Sequence, residues 1–407
     1  MSSFAPPILS SAYSPIAANT GAGASTIQRN PPTGRIAAID ILRALVMLLM
    51  LVDHVRERFF YHQQVTDPMD LDSTSPALFF TRLAAHFCAP VFVFLTGVSA
   101  WLYAHPAHQP PRSASAFLLK RGLFIIGIEI AVINWLWMGS YDTLWLQVMW
   151  AIGVSMLLLG ILCRLPWLIL LCLGITIVAG HNLLDPISFT PGQRGYTLWT
   201  ILHDPGFIYT SEGFAIKASY PVLPWIGVIL LGYSLGRMYA QTVSSALRQR
   251  VLIGLAVALW LLLGLLRTRL GYGEALSFTG HADWLYNVMQ FVNYTKYPPS
   301  LDFVLFTLGG ALLLLGLLEN VNNRFSWGIE IFGAAPMFFY ILHLGVLLMS
   351  YQLALAVFGA NYGQWFAFDH VWQIWLCAGL MGAGLYWPTR AFSRYKRRSK
   401  HALIKYF

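Results

Sequence analysis

From residue 36 onward the chain alternates long apolar runs with polar joints, and most runs have the length of a helix that crosses a bilayer. They fall at about 36 to 55, 77 to 103, 116 to 138, 143 to 162, 165 to 181, 220 to 240, 251 to 268, 300 to 319, 330 to 351 and 370 to 388. Each is close to the roughly 20 residues that a 30 Å hydrocarbon core demands. The joints at 138 to 143 and 162 to 165 leave room only for helical hairpins, since an open sheet edge cannot sit in lipid. The pattern predicts an all-α fold: a polytopic integral membrane bundle of about 10 transmembrane helices over residues 35–390. Three longer polar-aromatic loops, at about 56 to 76, 182 to 219 and 269 to 299, are where binding residues tend to gather. In Thr-Ser-Pro, Ser75 as N-cap and Pro76 as first helical residue predict the start of the second helix.

The first run breaks the apolar rule. IDILRALVMLLMLVDHVR buries Arg43 within it and ends on Asp53, His54 and Arg56, and a charge inside a bilayer costs at least about 2.5 to 3.5 kcal/mol. Arg43 and His54 lie three turns and about 20° apart, hence on one face, separated by roughly 16 Å along the axis. Arg43 is either paired with Asp40 one turn away or a cation for an anionic ligand. His54 is either an interfacial histidine or a chemical group, with Asp53 to orient or charge its imidazole and Arg56 to hold an anion. Deeper polar residues, Arg82, His86, Glu129, Asn134 and His343, suggest a polar interior or a set of helix-to-helix hydrogen bonds. Lys296, beside Tyr294 and Tyr297, would hold an anionic substrate group or anchor the interface.

Composition narrows the class. With 57% hydrophobic and 11% charged residues and a mean hydropathy of +0.60, the chain is too apolar for a soluble globular protein. Its net charge of +9 is scattered over loop ends and concentrated in the tail RYKRRSK, which suits anionic lipid rather than nucleic acid. The bias of Lys and Arg predicts both termini cytoplasmic, so that His54 and the three long loops lie outside. Residues 1–34, rich in Ser, Ala, Pro and Gly, predict a disordered cytoplasmic leader, and 391–407 a basic cytoplasmic tail. The four cysteines have neither zinc-site spacing nor an external pair. Asp67, Asp70 and Asp72 lack the glycine and terminal Glu of a calcium loop, so no metal is expected. Nucleotide-binding loops and Gly-x-Ser-x-Gly elbows are absent from the sequence, which disfavours ATP hydrolysis and serine hydrolase chemistry.

RIAAIDILRALVMLLMLVDHVRERF, DLDSTSPALFFTRLAAHFCAPVFVFLTGVSAWL, YPVLPWIGVILLGY, TKYPPSLDF and GAAPMFFYILHLG together resemble bacterial proteins grouped with the heparan-alpha-glucosaminide N-acetyltransferase catalytic domain. That group belongs to a wider superfamily of transmembrane acyltransferases. The resemblance spans about residues 35 to 390, and the superfamily's arginine and outer histidine map onto Arg43 and His54. It implies an acyl-CoA donor, usually acetyl-CoA, reached from the cytoplasm and a sugar or glycan acceptor outside, in a bacterial inner membrane, with a homodimer as one possible assembly. His54 would be the catalytic base or the acyl carrier with Asp53 beside it, and Arg43 would bind the donor. Arg56, His86, Lys296, Tyr297 and His343 would line the substrate site. In the heparan enzyme the active histidine lies in the first lumenal loop, which leaves His62 as an alternative to His54. The competing class is a transporter or flippase with the same polar groups along its path, but matched Gly/Pro-interrupted helices in two halves of the chain are not evident. A structural or sensory membrane protein would carry the polar stripe without a cavity.

Overall fold

A computed structural model describes residues 36–321, 324–401, 404 and 406–407; the leader expected over 1–34 lies outside them. The chain order is α1 (Ala37–Phe59), α2 (Pro76–Ala85), α3 (Cys88–Ala104), α4 (Ser115–Ile128), α5 (Asn134–Met138), α6 (Val148–Leu162), α7 (Trp167–Gly180), α8 (Tyr196–Leu202), α9 (Leu223–Leu235), α10 (Ser245–Leu265), α11 (Trp284–Phe291), α12 (Leu301–Leu318), α13 (Arg324–Ala334), α14 (Pro336–Phe358) and α15 (Val371–Arg398). Ser75 caps α2 by accepting from Leu78 N, and Ser300 caps α12 by accepting from Phe303 N at 3.1 Å. Both satisfy donors that a helix start leaves orphaned. The expected run at 77 to 103 is broken between α2 and α3. Pro90 carries no N–H and its ring crowds the carbonyl four residues back, at His86, where the helix is interrupted.

Among the described residues, five stretches are long and apolar enough to cross a membrane: Pro76–Ala104, Trp167–Leu184, Ser245–Leu270, Leu301–Leu318 and Pro336–Phe358. The protein is an integral membrane protein, although by length and composition these five fall short of the ten expected. α1 carries Asp40, Arg43 and Asp53 among its apolar residues, and α6 is only 15 residues long. The predicted span at 330 to 351 divides between α13 and α14, with Pro336 opening the latter. α15 continues to Arg398, so much of the basic segment after 390 is helical.

The fold is not purely helical. Thr143–Leu146, expected to begin a spanning helix, is a strand, β1, in a three-stranded sheet with β2 (Gly206–Ser211) and β3 (Phe214–Ala218). β3 lies between the other two, parallel to β1 and antiparallel to β2. Gly213, at φ +75°, makes the tight β2–β3 turn that a side chain would oppose. Polar residues of the third run hold β1 in place. Asn134 accepts from Trp145 N (2.7 Å) and donates to Trp145 O (3.0 Å), and Glu129 accepts from Gln147 N (3.0 Å). Glu129 opens a π-bulge, Glu129–Ile133, of the kind that often marks a functional region.

The helices meet closely at glycines. α3 runs along α9, where a Cβ on Gly97 would overlap Ile229 O and one on Gly232 would overlap Phe94 O. Backbone is therefore pressed against backbone, as small residues permit in membrane bundles. Around these crossings lies a core of fully buried Leu42, Val91, Val98, Trp225, Ile229 and Phe303.

Candidate active site

His54 is held from behind by a second histidine. His54 Nδ1 lies 2.7 Å from His343 Nε2, and His343 Nδ1 lies 2.7 Å from Phe339 O. A carbonyl can only accept, so His343 Nδ1 carries a proton; in the neutral ring its Nε2 then accepts from His54 Nδ1–H. That leaves a lone pair on His54 Nε2, which has no hydrogen bond among the described residues. Trp137 (centroids 4.9 Å apart) and Tyr340 (5.7 Å) fix the ring's other sides. Arg58 braces Trp137, donating to Trp137 O at 2.8 Å and lying 5.3 Å from its ring centroid.

Asp53 does not touch the imidazole. Its carboxylate accepts from Arg56 Nε (2.9 Å) and Arg82 Nη1 (2.8 Å), and Arg56 also donates to Glu57 at 2.9 Å. All three residues of the Asp53–Arg56–Arg82 cluster are buried. This cluster joins α1 to α2, and loss of one partner from such a buried pair costs roughly 3 to 5 kcal/mol. Arg56 thus spends its charge within the protein, while His343 orients the histidine in the manner expected of Asp53.

Lys296 enters from the loop before α12. It is 4% exposed, and among the described residues its ammonium makes no ion pair. Its backbone is fastened by Asp67, which accepts from Lys296 N (3.0 Å) and Tyr297 N (2.9 Å). Burial pushes the Asp67 carboxyl above its usual range, against the pull of Arg82 and Lys296. Asn293 ties the same loop to Met69 through two hydrogen bonds, and Tyr297 OH meets Tyr220 OH at 3.0 Å.

Two cavities meet at this point. An inner one, of about 810 Å³ empty volume, runs among helices past Met47, Met50, Cys88, Phe92, Ile125 and Ile152 to Thr96 and Arg121. An outer one, of about 1070 Å³, is bordered by Glu57, Asp67, Trp137, Trp145, Gln147 and Lys217. Asp53, His54, Val148, Tyr220, Lys296 and Tyr340 border both. β1 and β3 deliver the outer polar groups, because Trp145 and Lys217 are register partners and the ammonium sits 4.8 Å from the indole centroid.

Other sequence candidates lie elsewhere. Arg43 donates to Asp40 (2.8 Å), Ser99 (3.0 Å) and Gly333 O (3.2 Å) and borders neither cavity. His86 is sealed at 1% exposure against Phe303 and also borders neither. His62 stacks on Tyr362, centroids 4.1 Å apart, away from both cavities, and burial lowers its pKa. Asp70 and Asp72 do not converge on Asp67; Asp70 accepts from Ser73 Oγ and Asp72 N. Sequence reasoning overlooks Trp137, Tyr220, Tyr340, Lys217 and Arg121. Two carried a signal: Tyr340 stands one turn before His343 in FFYILHLG, and Tyr220 opens YPVLPWIGVILLGY.

The family model described as heparan-alpha-glucosaminide N-acetyltransferase, catalytic, matches residues 35–268. No curated protein matches the chain.

Proposed function

Because the chain belongs to the heparan-alpha-glucosaminide N-acetyltransferase catalytic family and is a membrane acetyltransferase, we propose that it moves an acetyl group from cytoplasmic acetyl-CoA to an extracytoplasmic sugar or glycan, with His54 as general base. The observation that carries this reading is the unengaged Nε2 of His54 at the meeting of two cavities, one apolar and one polar. The inner cavity suits the thin arm of an acyl thioester. Aromatic faces and acceptor groups in the outer one, Trp137, Trp145, Glu57 and Gln147, suit a sugar's C–H face and hydroxyls. We place the chain in a bacterial inner membrane with both termini cytoplasmic, which sets the Arg43 end of α1 inside.

In the transfer, His54 Nε2 takes the proton from the acceptor amine or hydroxyl as that nucleophile bonds to the acetyl carbon. The thioester C–S bond then breaks, and the proton passes from Nε2 to the departing thiolate. His343 keeps Nε2 unprotonated and aimed, and Lys296 supplies positive charge where the carbonyl oxygen gains negative charge. A positioned base contributes typically about 10²- to 10⁴-fold.

The test is incubation of the purified chain with labelled acetyl-CoA and cell-envelope glycans, measuring free CoA and transferred label. The wild type should release CoA in step with transfer, and His54→Ala should lose about 10²- to 10⁴-fold while eluting as the native protein does. Undiminished transfer by that folded variant would sink the assignment. Uptake of a solute with indifference to acetyl-CoA would support a transporter instead.

A further inference from the structure

The foot of the inner cavity holds a cation that no described residue neutralises. Arg121, on α4, borders the cavity, and its Nε is buried with no hydrogen-bond partner among the described residues. It makes no ion pair there, and its guanidinium carbon lies only within loose reach of the Phe117 ring, 5.8 Å from the centroid. Arg43, whose field acts on it, has the same sign. A desolvated guanidinium without a counter-charge is costly to keep, and an anion entering the cavity would relieve that cost. Arg43 differs in every respect, with Asp40, Ser99 and Gly333 O as partners and no frontage on the cavity.

The dimensions agree with one kind of anion. Along α3 the inner wall extends from Cys88 to Thr96, eight residues or about 12 Å at helical rise, and Ala85 carries it further past the break before α3. In an acyl-CoA, about thirteen bonds separate the thioester sulfur from the first phosphorus, about 15 Å when extended as a peptide chain extends. The walls between are apolar and offer such an arm little but contact. We infer that Arg121 binds the phosphate-bearing end of the acyl-thioester donor, setting the depth at which the thioester stops beside His54. This rests on the acetyl-transfer reading above.

Equilibrium binding to the full chain separates the possibilities, with labelled acetyl-CoA and labelled S-acetylpantetheine, which lacks phosphate, as probes. The wild type should prefer acetyl-CoA by at least about 10-fold, as a charge-assisted contact to phosphate provides. Arg121→Gln should abolish that preference and leave S-acetylpantetheine binding unchanged, whereas Arg43→Gln should preserve it. Should Arg121→Gln not fold, Arg121→Lys carries the test, with the preference cut several-fold because a point charge replaces the fork. Equal binding of the two probes by the wild type overturns the inference, as does an Arg121 variant with the full wild-type ratio. Binding of neither probe by the folded wild type would remove the acetyl-transfer reading as well.

Discussion

The inner and outer cavities share His54 but are built by opposite means. Helix packing shapes the inner one: Met47 and Met50 on α1, Cys88 to Thr96 on α3, Ile125 on α4 and Ile152 on α6 are placed by helices that already bury their faces. Hydrogen bonds between distant loops shape the outer one. Asp67 holds Lys296 and Tyr297, Asn134 holds Trp145, and β3 holds Lys217 beside β1. Apolar packing gives a shape with few specific atoms, while the loop network gives specific atoms with little apolar support. The difference suggests a division of labour, with a generic arm entering from one side and a polar acceptor recognised from the other.

The strongest check on this contrast lies at the junction, which should respect neither side. His343→Leu should lower kcat by at least about 10- to 100-fold, the loss seen when the hydrogen-bond partner that orients a metal-bound histidine is removed, with KM unchanged for both substrates. A selective change in either KM would place His343 within one cavity rather than behind both. Next in size, Thr96→Phe should raise the acetyl-CoA KM by about 10-fold through narrowing of the inner cavity and leave the acceptor KM alone. Trp145→Ala should produce the mirror image, since an aromatic contact is worth about 0.5 to 1.5 kcal/mol beyond the area it buries. If both variants altered both constants alike, the two cavities would act as one.

The smallest expected effect concerns pH. The folded Asp67 carboxyl has its pKa raised above the unfolded value of about 4, so its contribution to stability is complete below that pH and declines as pH rises through the shifted value. Asp67→Asn keeps an acceptor oxygen and does not titrate. The melting temperature of the wild type should therefore fall relative to that of Asp67→Asn as pH rises above about 4, and a gap of constant size would show that burial does not govern this carboxyl.

Legibility in the sequence follows the same line. Apolar periodicity and the Ser75–Pro76 start are local signals, and α1 and α2 lie close to where they point. Pro90 also stands in the sequence, yet an apolar run hides the break it causes. β1 is masked because TLWL continues into an apolar helix, and short apolar runs do not distinguish strand from helix. His343 is 289 residues from His54, so their pairing has no local trace. Polarity within a span was an ambiguous guide: it marks His54 at the cavity, His86 sealed away from it, and Glu129 as a peg for the sheet. Arg121 reads as an ordinary basic residue near a helix start, and only the lack of a partner for its Nε among the described residues sets it apart.

The glycine crossing of α3 and α9 bears on what can move. With carbonyl oxygens seated where side chains would otherwise stand, the two helices have little room to roll or slide, which favours a fixed wall beside Phe92 and Thr96. Such a frame resembles a bulkhead with a fitted port more than a rocking gate. On the proposed reading, an acetyl group would be handed through such a frame without either helix moving aside.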